Sequence, residues 1–254
     1  IGLCAINYVV DITNYVLHAM GQPLHAFDLD KVAGNHIIVK NLSEGTKFTT
    51  LDGIERTLSA DDLMICDEAG GACIAGVFGG LNSGVTEETK NVFLESAYFN
   101  PVSVRKTARR HGLNTDASFR FERGCDPNNT LYILKFASLL IKEVAGGTIS
   151  SEVFDNYPCA VEPFKVELTY SKINSLIGKE IDKNEVLTIL KGLEIEVLKQ
   201  DGDSLSLAVP SYRVDVQRDV DVIEDILRIY GYDNVEAGSS LKSSIAYSVN
   251  PNSV

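Results

Sequence analysis

No stretch of the 254-residue sequence reaches the ~18 to 20 uninterrupted apolar residues that span a bilayer, and the N-terminus shows neither a basic flank nor a cleavage site. Membrane insertion and secretion are therefore not expected. The five cysteines, Cys4, Cys66, Cys73, Cys125 and Cys159, are odd in number, scattered, and form no Cys-x-x-Cys pair. Reduced cytosolic thiols are the expectation, and structural zinc has no ligand pattern to build on. Basic residues are the minority, 23 Lys and Arg against 35 Asp and Glu, and the resulting net charge of -12 argues against indiscriminate nucleic-acid binding. Also missing are Gly-x-Ser-x-Gly, Gly-x-x-x-x-Gly-Lys and any Ser/His/Asp or Cys/His spacing, so covalent catalysis has no visible nucleophile.

What is present is enough apolar material for a core, 44% of the residues, in a length that suits one or two domains. A short helix is expected over 13–20, ended by Gly21 and Pro23, with His25 on the loop after it. Strands are expected at 37–40, 47–51, 63–66, 73–78 and 91–96, with Leu51-Asp52-Gly53-Ile54 a turn. Helices follow at 102–110 and 129–145, the second stopped by Gly146 and Gly147. The Pro-containing stretch 152–163 reads as a linker. Beyond it come a strand at 165–168, a helix at 170–177 closed by Gly178, and a helix opened by Asp182-Lys183-Asn184-Glu185 and running to Leu190. A hairpin at 195–198 and 205–209 and a helix at 220–230 complete the pattern. The expected fold class is α+β, a mixed-sheet domain over 1–152, then a small winged-helix-like α+β domain over 160–236. Residues 237–254 read as a tail or the start of a next domain. With Ile1 in place of Met, the chain reads as an excised piece of a longer subunit.

The run 108–124 follows neither a period of 3.6 nor one of 2. Arg109, Arg110, Arg120 and Arg123 offer guanidinium forks that match phosphate, while Gly112, Thr115, Ala117 and Ser118 leave room for a ligand near the backbone. A solvated charged loop between helix ends is the plainer reading. Elsewhere, Asp221, Glu224 and Asp225 share one face of the last helix, with Asp215 just upstream. Such a cluster is either a solvated acidic face with Asp219 or Asp221 as cap, or an oxygen-only site for a hard cation.

Several blocks occur in order: Val10-Asp11-Ile12-Thr13-Asn14-Tyr15-Val16, Gly21-Gln22-Pro23-Leu24-His25-Ala26-Phe27-Asp28, Ala75-Gly76-Val77-Phe78-Gly79-Gly80, Leu94-Glu95-Ser96-Ala97 and the Arg-rich run. Together they resemble the editing module of the β subunits of bacterial-type phenylalanyl-tRNA synthetases. Pro210-Ser211-Tyr212-Arg213-Val214-Asp215, Asp221-Val222-Ile223-Glu224-Asp225 and Arg228-Ile229-Tyr230-Gly231-Tyr232 resemble the small module that follows it.

The resemblance implies that His25, Thr13 and Asn14 line an editing pocket and that Glu95 accepts a hydrogen bond from the phenolic hydroxyl of a misattached tyrosine. Alone, His25 could be a structural histidine and Glu95 a wet edge-strand carboxylate. By the same resemblance Gly76, Gly79 and Gly80, with Thr115 and Ala117 on the other wall, leave space for an aromatic ring, though the glycines could serve only a tight turn. Hydrolysis would use a positioned water, assisted by a ribose hydroxyl of the substrate. Discrimination against one hydroxyl by an apolar pocket reaches only about a hundredfold, which is why a second sieve is needed. The resemblance further implies tRNA(Phe) contacts by the four arginines and Mg²⁺ held by Asp215, Asp221, Glu224 and Asp225. It also implies an α subunit partner in an α2β2 enzyme that uses ATP in the cytoplasm. Two rivals stand beside this reading, a noncatalytic tRNA-docking and assembly scaffold, and a DNA-binding regulator whose acidic last helix would repel phosphate.

Overall fold

The computed structural model describes residues 2–236, so the expectation for 237–254 lies outside the described residues. The chain divides into two compact units, Ile1–Glu162 and Pro163–Val254. In chain order, the first unit runs α1 (Tyr8–Met20), β1 (Leu24–Asp28), β2 (Ile38–Asn41), β3 (Lys47–Thr49), β4 (Glu55–Thr57), β5 (Leu63–Cys66), β6 (Gly71–Ile74), β7 (Phe78–Gly79), β8 (Val92–Ser96), α2 (Pro101–His111), α3 (Asp116–Phe121) and α4 (Thr130–Val144). The second unit runs β9 (Phe164–Thr169), α5 (Tyr170–Ile177), α6 (Lys183–Gly192), β10 (Glu196–Asp201), β11 (Ser204–Val209) and α7 (Asp219–Tyr230). All sheet pairings between these strands are antiparallel, and the α+β class expected from the sequence is the one observed.

Three sheets build the first unit: the pair β1–β8, the pair β3–β4, and a four-stranded sheet in the order β2-β5-β6-β7. The β1–β8 ribbon is buried on both faces. Leu24 and Leu94 cluster with Ile12 and Val16 of α1 and with Ile133 and Ala137 of α4. The alternate residues Phe27 and Phe93 join the other core, with Met64, Ile65, Cys73 and Ile74 of β5 and β6. Each fully buried aliphatic or aromatic side chain contributes roughly 1.5 to 3 kcal/mol relative to exposure, so this layering holds the ribbon in register.

Several expectations are corrected here. His25 lies on strand β1, not on a loop. Pro23 ends α1's extension, but the residues after it pair with β8, and a strand buried on both faces shows no polar alternation to reveal it. The expected strand over 73–78 is two strands, because Gly76 at φ +67° turns the chain between β6 and β7. The aperiodic run 108–124 contains two helix ends. Gly112 closes α2 at φ +64°, and Thr115 opens α3, accepting from Ser118 N–H while its own N–H donates to Ser118 Oγ. A six-residue helix is too short to display a period.

The second unit packs α5, α6 and α7 on a sheet ordered β10-β11-β9 around Leu168, Ile173, Val186, Leu190, Leu205, Leu207, Val222 and Ile226. Asp182 caps α6 by accepting from the N–H groups of Asn184 and Glu185. The β10–β11 hairpin beside three helices gives the winged-helix-like composition.

Candidate functional site

His25 of β1 stands directly opposite Glu95 of β8 in the antiparallel register, so both side chains leave the same face of the ribbon. That face also carries Phe27, whose ring edge meets the His25 ring at 4.4 Å between centroids, and Phe93. His25 Nε2 and Glu95 Oε2 are both shut off from solvent and have no hydrogen-bond partner among the described residues. Burial lowers the His25 pKa to about 4, leaving the imidazole neutral at pH 7. Burial raises the Glu95 pKa to about 8, so its carboxyl holds its proton at the same pH. Each orphaned buried polar atom costs about 1 to 3 kcal/mol, and two at one register position mark a place where a ligand group fits.

The surrounding elements are β6 and β7. The Cys73 thiol donates to the Phe78 carbonyl at 3.4 Å, and burial, with the charge of Glu95 second, pushes its pKa well up. A Cβ at Gly79 would sit 3.1 Å from His25 Cε1, so Gly79 is the glycine that borders the pair. Gly76 and Gly80 do otherwise. A Cβ on Gly76 would meet Phe99 at 2.8 Å and Phe121 at 3.1 Å, and one on Gly80 would meet the Ala72 carbonyl at 2.5 Å. Their missing side chains let the core close, which corrects the expectation that they leave room for a ring. Thr115 Oγ1 donates to the Val77 carbonyl at 2.8 Å, tying α3 to the turn between β6 and β7, and Ala117 packs half-buried against the same core.

Thr13 and Asn14 sit on α1, whose Ile12 and Val16 cover the opposite face of the ribbon. The Thr13 hydroxyl donates to the Val10 carbonyl at 2.8 Å, and no hydrogen bond among the described residues joins Thr13 or Asn14 to His25 or Glu95. Within the expected quartet the strand register sets His25 against Glu95, while the Thr13 hydroxyl is engaged inside α1. Cys73 and Phe27 are neighbours of that pair that sequence reasoning missed. The mirrored His-x-Phe and Phe-x-Glu patterns of the two strands were the available signal.

The four arginines differ in their freedom. Arg110 is ion-paired with fully buried Asp62, which also accepts from His111 Nε2 at 2.7 Å and Thr107 Oγ1 at 2.8 Å. Burial alone would raise the Asp62 pKa, but hydrogen bonds from the Ser59 N–H, His111 and Thr107 outweigh it and hold the carboxyl low. Arg123 bonds Glu122 at 2.7 Å and lies 3.5 Å over the Phe119 ring. Arg109 is exposed and Arg120 half-buried, and no salt bridge among the described residues engages either.

The acidic group of the second unit does not form the expected Mg²⁺ cluster. Buried Asp225 accepts from Arg213 at 2.5 Å and Arg228 at 3.0 Å. Asp221 takes Arg218 at 2.7 Å and caps α7 by accepting from the N–H groups of Arg218 and Gln217. Asp215 and Glu224 are exposed, and no group of three or more His, Cys, Asp or Glu among the described residues could hold a metal. The carboxylates share a helix face, as their spacing requires, yet arginines rather than a cation neutralise two of them. An open groove of about 400 Å³ lies in the second unit, lined by Leu187, Lys191, Glu194, Ile195, Glu196 and Val197, and no candidate residue borders it.

An α+β unit with a buried, unpartnered His/Glu pair, followed by a smaller α+β unit, is the class of protein this geometry defines. The chain belongs to the B3/4 domain family, which it matches over residues 1–146, and it matches the tRNA synthetase B5 domain over residues 166–232. It is 63% identical over 245 residues to the phenylalanine–tRNA ligase beta subunit of Bacteroides fragilis strain YCH46, covering 96% of this chain and 30% of that protein. The same-named proteins of Bacteroides thetaiotaomicron and Porphyromonas gingivalis are 62% and 54% identical, over 96% and 97% of this chain and 30% of each relative. The chain thus spans about a third of the length of these relatives. A solved N-terminal fragment of the phenylalanyl-tRNA synthetase β subunit from Pyrococcus horikoshii matches at TM-score 0.43 and 18% identity, covering 88% of this chain and 65% of that one.

Proposed function

We propose that the first unit hydrolyses misacylated tyrosyl-tRNA(Phe), as the editing portion of a phenylalanine–tRNA ligase β subunit. The observation that supports this most is the His25/Glu95 pair, two partnerless buried polar atoms at one register position, suited to a ligand that differs from phenylalanine by one hydroxyl. Tyrosine would complete the hydrogen bonding of the pair, and phenylalanine would leave it unsatisfied, a difference that can reach several orders of magnitude in a site built for a hydroxyl. The reaction on this reading is attack of a positioned water on the aminoacyl ester, with orientation supplying the rate. Exposed Arg109 and half-buried Arg120 would meet the tRNA backbone. The complete enzyme, an α2β2 assembly in the cytoplasm, would charge tRNA(Phe) using ATP and Mg²⁺, with the charging site on the α subunit.

The scaffold reading draws its support from Gly76 and Gly80, whose surroundings are filled. Gly79→Val separates the two. It intrudes on His25 without removing either polar group, so clearance of tyrosyl-tRNA(Phe) by the assembled enzyme should fall while phenylalanine charging holds. No clearance by the wild-type enzyme, or clearance that the variant leaves untouched because it takes place outside this unit, would favour the scaffold.

A further inference from the structure

We propose that Leu51 and Leu81 form an apolar rim beside the His25/Glu95 pair and hold the adenine of the terminal nucleotide of a tRNA. The inference rests on the proposed editing pocket and adds the residues that take the nucleoside end of the aminoacyl ester. Its basis is strand register. Residues 49–51 continue β3 and pair antiparallel with residues 79–81. Thr50 and Gly80 form the bridge, Leu51 N–H donates to the Gly79 carbonyl at 2.9 Å, and Leu81 N–H donates to the Thr49 carbonyl at 3.2 Å. Leu51 thus stands opposite Gly79 and Leu81 opposite Thr49, and because side chains alternate along a strand both leucines leave the face on which Gly79 has none. His25 occupies that face, since a Cβ on Gly79 would lie 3.1 Å from His25 Cε1 and 3.7 Å from Nε2. The opposite face belongs to the core, where Thr50 is buried and a Cβ on Gly80 would meet Phe48 at 2.8 Å.

Leu51 is 54% exposed and Leu81 49%. Single exposed leucines are ordinary, but two that flank the glycine bordering a pair of orphaned polar atoms make one apolar surface continuous with that site. The surface is also held in place. Gly53 N–H closes the turn on the Thr50 carbonyl at 2.8 Å, and Asp52 accepts from Thr50 Oγ1 at 2.6 Å, Ile54 N–H at 3.1 Å and Arg56 at 2.6 Å. Arg56 donates onward to the His111 carbonyl at 2.9 Å, which sets the turn at the end of α2 that carries exposed Arg109.

Depth sorts the ligand. His25 Nε2 and Glu95 Oε2 are shut off from solvent while the leucines are half open, so the inner end takes the tyrosyl hydroxyl and the outer end takes what the ester joins to it. In an aminoacyl-tRNA that is the terminal ribose and adenine. Adenine is the flat, weakly polar group of the two and the one whose face leucine side chains cover, and the phosphate that follows turns toward Arg109.

The probes are non-hydrolysable amides of tyrosine with 3′-amino-3′-deoxyadenosine and with the same amino sugar lacking its base. Each is measured as an inhibitor of tyrosyl-tRNA(Phe) deacylation by the assembled enzyme, which reports binding at the hydrolytic site alone. The wild type should bind the adenosine probe about tenfold more tightly than the base-free one, and Leu51→Ser with Leu81→Ser should bring that ratio to about one while the base-free constant holds. A ratio that survives the double substitution, or that is absent from the wild type, overturns the rim and leaves the editing reading standing. Equal weakening of both probes overturns it too, because the leucines would then act on the tyrosyl ring. Absence of deacylation by the wild-type enzyme removes the editing reading and this proposal with it. Both side chains are exposed, so the variants should melt with the wild type. Each single substitution should lose part of the ratio, which keeps the test decisive if the double variant does not fold.

Discussion

His25 faces Glu95 across the β1–β8 ribbon, and the Nε2 of one and the Oε2 of the other are buried without a partner. Two strands contribute one group each, so the pair exists only when the ribbon is in register. A slip of β8 by one residue would turn Glu95 toward α1 and α4, bring Leu94 into the opposite core and leave His25 without its counterpart.

The pair makes stability depend on pH in a calculable direction. The lowered His25 pKa means the unfolded chain binds more protons between about pH 4 and 6.5, so stability rises with pH there. The raised Glu95 pKa means the folded chain binds more protons between about pH 4.5 and 8, so stability falls with pH there. The two slopes oppose each other up to about pH 6.5 and leave a net decline from there to pH 8. Thermal melts across this range should show that decline in the wild type, and Glu95→Gln should lack it.

Gly76 supports the core by what it lacks. Its positive φ and the 2.8 Å approach of Phe99 mean that Gly76→Ala should cost about 1 to 3 kcal/mol, measured by urea denaturation. A variant as stable as the wild type would show that the Phe99, Phe121 and Val104 side chains can retreat, and that Gly76 borders free space after all.

Asp62 fixes the end of α2. Removing it leaves His111 and Arg110 facing an empty buried site, so Asp62→Ala should cost about 3 to 5 kcal/mol in the same assay. The depressed Asp62 pKa places this contribution above the ordinary carboxylate range, and it should fade as pH falls through the folded value.

Arg213 and Arg228 clamp buried Asp225 within the second unit, a contact that forms without a metal ion. Asp225→Ala should cost about 3 to 5 kcal/mol because Arg213 loses its partner inside the unit. Adding Mg²⁺ or a chelator should leave the melting temperature of this chain unchanged. A Mg²⁺-dependent rise would mean that the carboxylates exchange arginine for the cation.

How much of this was readable beforehand differs element by element. Helix α5 was legible to the residue because Thr169 caps it and Gly178 closes it at φ +80°. Strand β5 was likewise legible over Leu63–Cys66. Helix α1 starts five residues before its expected position, since Asn7 caps it by accepting from Val10 N–H and an apolar lead-in hid the start. His25 and Glu95 were picked out by resemblance, but their opposition was not, because cross-strand register is a long-range fact. The acidic face of α7 was read correctly as a spacing. Its neutralisation by Arg213 was missed because that arginine precedes the helix by several residues and reaches Asp225 only after the chain turns, whereas Arg218 and Arg228 each stand three residues from their partners and were open to reading by spacing.

The most direct measurement of the central claim, that Glu95 and His25 read a hydroxyl, is deacylation of tyrosyl-tRNA(Phe) by the assembled enzyme carrying Glu95→Ala, with phenylalanine charging followed alongside. Loss of the Glu95 hydrogen bond and stranding of the hydroxyl should slow tyrosyl clearance about tenfold or more and leave charging intact. Clearance at the wild-type rate would contradict the claim and return Glu95 to the status of an edge-strand carboxylate.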